Sequence, residues 1–96
     1  MHKVNLAIQV LPFSDTEDKY AIIDKAIAVI ANSGLKYVVC PFETVVEGTY
    51  DEVMEIVEDI KHSCLLAGAE DLIINMKLHA TKDGDALIDD KLEKYS

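Results

Sequence analysis

The residues of this chain with chemical potential are few and unevenly placed. Within Val38-Val39-Cys40-Pro41-Phe42-Glu43-Thr44-Val45-Val46-Glu47-Gly48-Thr49-Tyr50-Asp51-Glu52, Glu47 is a carboxylate where an ordinary strand carries Val or Thr. Gln9 and Asn75 each bring an amide that both donates and accepts, set in segments that otherwise alternate with apolar residues. His2, His62 and His79 fall on a terminus, a helix and a strand end with no i, i+4 pairing, so no metal site and no catalytic histidine are expected. Cys40 and Cys64 form no C-x-x-C and read as small buried hydrophobes. Neither a Gly-rich phosphate loop nor a Ser-His-Asp or Cys-His arrangement is present, and no catalytic residue is expected.

Charge narrows the partners. Eighteen acidic residues against nine basic ones give a net charge of −9, which repels phosphate backbones and anionic membrane surfaces, so neither nucleic acid nor membrane is an expected partner. Every basic residue is Lys, and without Arg the chain lacks the planar fork that grips phosphate or carboxylate bidentately. An acylphosphatase-type enzyme is thereby the weakest of the readings. Half the residues are hydrophobic and 28% are charged, as in an ordinary globular protein. No apolar run approaches the roughly 20 residues that cross a bilayer, and Met1-His2-Lys3-Val4 leads into a strand pattern instead of a signal peptide. The expectation is one cytoplasmic domain spanning residues 1–96.

The elements that must position these groups follow from periodicity. Val4, Leu6, Ile8 and Val10 alternate with Asn5, Ala7, Gln9 and Leu11, a strand expected to end at Pro12. Tyr20, Ile23, Ile27 and Ile30 recur at helical spacing and predict a helix from about Asp18 to Ser33, stopped by Gly34. Lys36 to Cys40 and Thr44 to Glu47 read as two short strands joined through Pro41-Phe42-Glu43. Thr49-x-x-Glu52 is a capping box opening a second helix, whose apolar stripe is Val53, Ile56, Val57, Ile60 and Cys64 and which ends near Gly68. Asp71 to His79 alternates again as a fourth strand, and Ile88 to Tyr95 predicts a short terminal helix.

The order β-α-β-β-α-β predicts an α+β ferredoxin-like sandwich, an antiparallel sheet with two helices on one face and a short C-terminal helix. The helix-free face would then carry Asn5, Ala7, Gln9, Leu11, Ile73 and Asn75, too apolar a set to be left in water. Self-association through that face is the simplest cover.

The chain resembles the small thiamine-binding proteins. The likeness rests on Val10-Leu11-Pro12, on Pro41-Phe42-Glu43-Thr44-Val45-Val46-Glu47-Gly48 with the helix start Tyr50-Asp51-Glu52-Val53-Met54, and on Ile88-Asp89-Asp90-Lys91-Leu92. Where many relatives carry a basic run after the last strand, this chain has His79-Ala80-Thr81-Lys82-Asp83. The resemblance implies a single ferredoxin-like domain, usually assembled as a homotetramer, that binds thiamine or its hydroxymethylpyrimidine half with no cofactor and no chemical step. It also implies a site near the strand of Thr44 and Glu47. Such a ligand asks for a carboxylate, amides and an apolar slot, because its amine donates, its ring nitrogens accept and its thiazolium is cationic. Glu47, Thr44, Gln9 and Asn75 are the expected polar contacts, with Phe42 and Leu11 against the ring. On this reading Glu47→Gln weakens binding at least tenfold with the fold intact, a difference of roughly 1.4 kcal/mol or more. Each residue also has an ordinary role: Glu47 at a helix N-terminus, Thr44 as a β-former, Gln9 and Asn75 across a subunit interface, Phe42 in loop packing. The competing functional class is a regulatory ligand-sensing module that acts through a protein partner.

Overall fold

A computed structural model describes residues 1–95. The elements run β1 (Lys3–Phe13), α1 (Lys19–Ala31), β2 (Lys36–Val39), β3 (Thr44–Thr49), α2 (Tyr50–Leu66), β4 (Asp71–His79) and α3 (Ile88–Glu93). The four strands form one antiparallel sheet in the order β2-β3-β1-β4, the ferredoxin-like arrangement.

Alternation along the strands divides the sheet into two faces. Val4, Leu6 and Ile8 of β1 and Val46 of β3 point to the helices and are buried with Ile22, Ala26 and Ile30 of α1 and Val53, Ile56, Ile60 and Cys64 of α2. Asn5, Ala7, Gln9 and Leu11 point to the other face, as do Val45 and Glu47 of β3, in register with Ala7 and Asn5. Cys64 is fully buried, and that burial raises its thiol pKa above the ordinary range. Its Sγ donates to the Ile22 carbonyl at 3.9 Å, so it packs as a small apolar residue with one weak bond.

The second helix begins as the sequence predicts. The Glu52 amide donates to the Thr49 hydroxyl and the Thr49 amide to the Glu52 carboxylate, the reciprocal bonds of a capping box. The Thr49 amide holds the Glu52 carboxyl below its usual range.

Two expectations need correction. β1 does not stop at Pro12 but passes through it to Phe13, with Pro12 opposite Leu72. There β3 has already ended, so β1 has become an edge on that side, where a proline without an N–H is tolerated. The apolar stripe of α1 is also displaced: its buried face is Ile22, Ala26 and Ile30, while Tyr20 is mostly exposed and Ile23 and Ile27 are half-buried. The helix has two neighbouring apolar stripes, and only one rests on the sheet.

Candidate functional site

The first strand outruns the third. Pairing of β1 with β3 ends at Ile8 opposite Thr44, while its pairing with β4 continues to Phe13 opposite Asp71. Past Ile8 the β3 side of β1 is therefore vacant. That gap opens into a slot of about 330 Å³, lined by Ile8 to Leu11 of β1, by Tyr20, Ile23, Ala26, Ile27 and Ile30 of α1, and by residues 39–44 of the β2–β3 connection. Its size is at the lower end for small-molecule sites, and its walls are mostly apolar with a few polar groups, as such sites require.

The connection is tight. The Cys40 amide donates to the Glu43 carbonyl at 2.9 Å, leaving Pro41-Phe42 as a two-residue loop. Pro41 presets one backbone angle of this loop, and Phe42 projects into solvent with 84% of its surface exposed. Tyr20, 64% exposed, borders the same slot from α1, so two aromatic rings stand free at its rim. Glu43 is the one charged residue of the lining, and Thr44 brings a hydroxyl to it.

A second polar group lies on the helix-free face and is built quite differently. The Ile88 amide, at the first turn of α3, donates to Glu47 Oε1 at 2.7 Å in a buried position. Leu87, the residue before that turn, has no side chain able to cap it, so Glu47 supplies from a distant strand the acceptor that the helix start lacks. Asn5 Nδ2 donates to the Ala86 carbonyl at 2.9 Å, and Lys91 Nζ donates to Asn5 Oδ1. The Ala86 amide donates to the Lys3 carbonyl at 3.0 Å, and the Lys3 amide donates to Asp85 Oδ1 at 2.7 Å. That last bond lowers the Asp85 carboxyl pKa. Lys36 pairs with Asp89 at 2.9 Å, which raises the lysine pKa. Residues 85–93 thus form a strap over one end of the helix-free face, fastened to β1, β2 and β3.

The structure brings Gln9, Leu11, Phe42 and Thr44 together in the slot's lining. Glu47 and Asn75 are not part of it. Glu47 lies under the strap, and Asn75 sits opposite Gln9 on the sheet, its Nδ2 donating to Gln9 Oε1 at 3.3 Å. Sequence reasoning missed Tyr20, Ile23, Ile27, Cys40 and Glu43 as slot residues. The available signal was the excess apolar width of α1, more than one sheet contact uses. Among the described residues, no group of three or more His, Cys, Asp or Glu side chains converges as a metal site. No helix among them is long and apolar enough to cross a membrane.

With fold and slot in view, the comparisons define the class. The family model described as thiamine-binding protein matches residues 6–96, and the chain belongs to that family. A UPF0045 protein from Clostridium perfringens is 35% identical over 95 residues, covering 99% of both chains. The solved structure of a domain of unknown function, DUF77, from Bacillus cereus is similar with a TM-score of 0.95 and 36% identity, covering 99% of this chain and 91% of that one. The structure of a candidate thiamine biosynthesis or salvage protein from Thermotoga maritima is similar with a TM-score of 0.87 and 30% identity, covering 98% of this chain and 99% of that one.

Proposed function

We propose that this chain binds thiamine or its hydroxymethylpyrimidine half in the slot between α1 and the β2–β3 connection, and sequesters or delivers it without turnover. The observation that carries this reading is the convergence of Gln9, Leu11, Phe42 and Thr44 on one apolar slot in a member of the thiamine-binding family. The likeness to the Thermotoga maritima protein, described as a candidate for thiamine biosynthesis or salvage, supports the same ligand class.

The chemistry assigns the parts. The Thr44 hydroxyl matches a donor or acceptor on an aminopyrimidine edge, while Ile23 and Ile27 take the ring's apolar surface and Gln9 and Leu11, whose side chains point to the helix-free face, border the slot from the edge of β1. Phe42 and Tyr20 offer faces for stacking, and Glu43 puts a lone carboxylate beside a cationic thiazolium. Asn75 holds the Gln9 amide from the neighbouring strand. Glu47 keeps the strap in place, and its effect on ligand is indirect.

The helix-free face beyond the strap carries Ala7, Gln9, Leu11 and Ile73, and a second copy laid on it gives a homo-oligomer in the cytoplasm. The acidic surface leaves nucleic acid out of the set of partners.

Isothermal titration with thiamine, thiamine phosphate and hydroxymethylpyrimidine, side by side, tests the reading. Saturable binding at a fixed ratio per subunit is expected for thiamine or the pyrimidine. Absence of heat and of competition for all three would remove the carrier function.

A further inference from the structure

The vacant side of β1 presents backbone to the slot, and the strand register identifies the groups. At the other end of the β1–β3 pair, the Lys3 amide bonds to Asp85, the Lys3 carbonyl to the Ala86 amide, and the Thr49 amide to Glu52. Lys3 and Thr49 therefore face each other without exchanging bonds, and alternation makes Val4, Leu6 and Ile8 the residues of β1 that bond to β3. Gln9 and Leu11, by the same alternation, bond to Asn75 and Ile73 of β4. Val10 thus aims its amide and its carbonyl to the β3 side.

Nothing in the fold answers them. The residue opposite Val10 would be Phe42, but β3 begins at Thr44 and Phe42 sits in the turn closed by Cys40 and Glu43. Pro12, the next residue to face that way, has no N–H. The open stretch offers a single donor, the Val10 N–H, beside the Val10 carbonyl, and neither is hydrogen-bonded among the described residues. Val10 is half-buried in the same lining as Ile23 and Ile27, where a polar backbone group without a partner is costly.

We propose that the Val10 backbone is the specificity-determining contact of the slot, its N–H donating to a ring nitrogen of an aminopyrimidine and its C=O accepting from the adjacent exocyclic amine. The assignment rests on the ligand class proposed above and adds the group that reads the ring. An extended residue holds its N–H and C=O side by side, and an opposing strand meets them with one acceptor and one donor. An aminopyrimidine carries that acceptor and donor together on one edge. A peptide strand would need a second donor at residue 12, which Pro12 denies it. The order of the two groups also separates close analogues. In oxythiamine, the 4-oxo analogue, the ring nitrogen donates and the exocyclic oxygen accepts. Both bonds then form only if the ring turns over, which swings the thiazolium arm to the opposite end of the slot.

Amide exchange of the unaltered protein, with and without saturating thiamine, is the first half of the test. Without ligand the Val10 amide should exchange much faster than those of Gln9 and Leu11, and thiamine should slow Val10 while changing the other two little. Calorimetry is the second half. Val10→Pro removes the donor and no bond to β4, and is expected to weaken thiamine binding roughly two- to tenfold, whereas Val10→Ile binds as the unaltered protein does. An ester in place of the Val10 amide, introduced by joining synthetic segments, removes the same N–H should Val10→Pro fail to fold. Oxythiamine should bind the unaltered protein roughly fivefold or more weakly than thiamine, because like groups then face each other. Thiamine that binds without slowing the Val10 amide, or equally well to a folded chain lacking that N–H, would overturn the assignment and leave the carrier function standing. A Val10 amide as protected as its neighbours before ligand is added would overturn it too. Failure of the unaltered protein to bind thiamine, thiamine phosphate or hydroxymethylpyrimidine would overturn both.

Discussion

Thr44 and Glu47 stand on the same short strand, both nearly buried, yet they point to opposite faces and meet opposite fates. Thr44 is the last residue to pair with β1 before the gap opens, so its side chain borders a slot with room for a small molecule. Glu47, paired with Asn5, lies where the C-terminal strap crosses the sheet, and its carboxylate is taken by the Ile88 amide. A polar residue in a strand is available to a ligand only where no distant segment of the chain has claimed it. Here the more conspicuous residue is the one already engaged.

The largest expected effect comes from stripping the slot's rim. Replacing both Tyr20 and Phe42 by Ala removes two exposed rings, and stacking is worth about 1–3 kcal/mol per ring by such truncation. Thiamine affinity should fall roughly tenfold or more by calorimetry, with stability changed by no more than about 0.5 kcal/mol, as at other exposed positions. Glu47→Ala should do the reverse. Leaving the buried Ile88 amide without its acceptor costs about 1–3 kcal/mol of stability in urea unfolding, while thiamine affinity stays within about twofold, a difference of less than roughly 0.5 kcal/mol. Equal losses of affinity in the two variants would erase the contrast between the two ends of β3.

Thr44→Val sharpens it further, since the shape is kept and only the hydroxyl is lost. One hydrogen bond of about 0.5–1.5 kcal/mol corresponds to roughly two- to tenfold weaker thiamine binding. The smallest effect belongs to pH. The folded Asp85 carboxyl has a lowered pKa, so its contribution is complete above the ordinary aspartate value and is lost as pH falls through the lower folded value. Lys36 is raised, so its contribution is complete below the ordinary lysine value and is lost as pH rises through the higher folded value. Hydrogen-exchange protection of the Ala86 and Ile88 amides, taken against the free-peptide rate at each pH, should therefore fall at both extremes. Protection of the Cys40 amide in the β2–β3 turn should hold over the same range. Strap amides as steady as Cys40 would show that these two charges do not fasten it.

Much of the fold is written in local sequence, and most of the site is not. The Thr49 to Glu52 capping box involves residues three positions apart, and its two bonds are where the letters put them. The alternation of Asp71 to His79 marks β4 to the residue. Pro12 misleads because a proline reads as a strand end unless the neighbouring strand is known to have stopped. The stripe of α1 misleads because two apolar faces adjoin and spacing alone cannot say which rests on the sheet. Glu47 shows the limit most clearly. A carboxylate at a helix N-terminus is one of its ordinary readings, but the helix it serves starts 41 residues further on, a pairing with no signature in local pattern.

The central claim is that ligand enters the slot and leaves the strap alone. Amide chemical-shift mapping of the labelled protein titrated with thiamine tests this most directly. Saturable shifts are expected to cluster at residues 8–11, 20–27 and 39–44, with Asn5, Glu47 and Ile88 nearly still. Shifts centred on Asn5, Glu47 and residues 85–91, with a quiet slot, would contradict it.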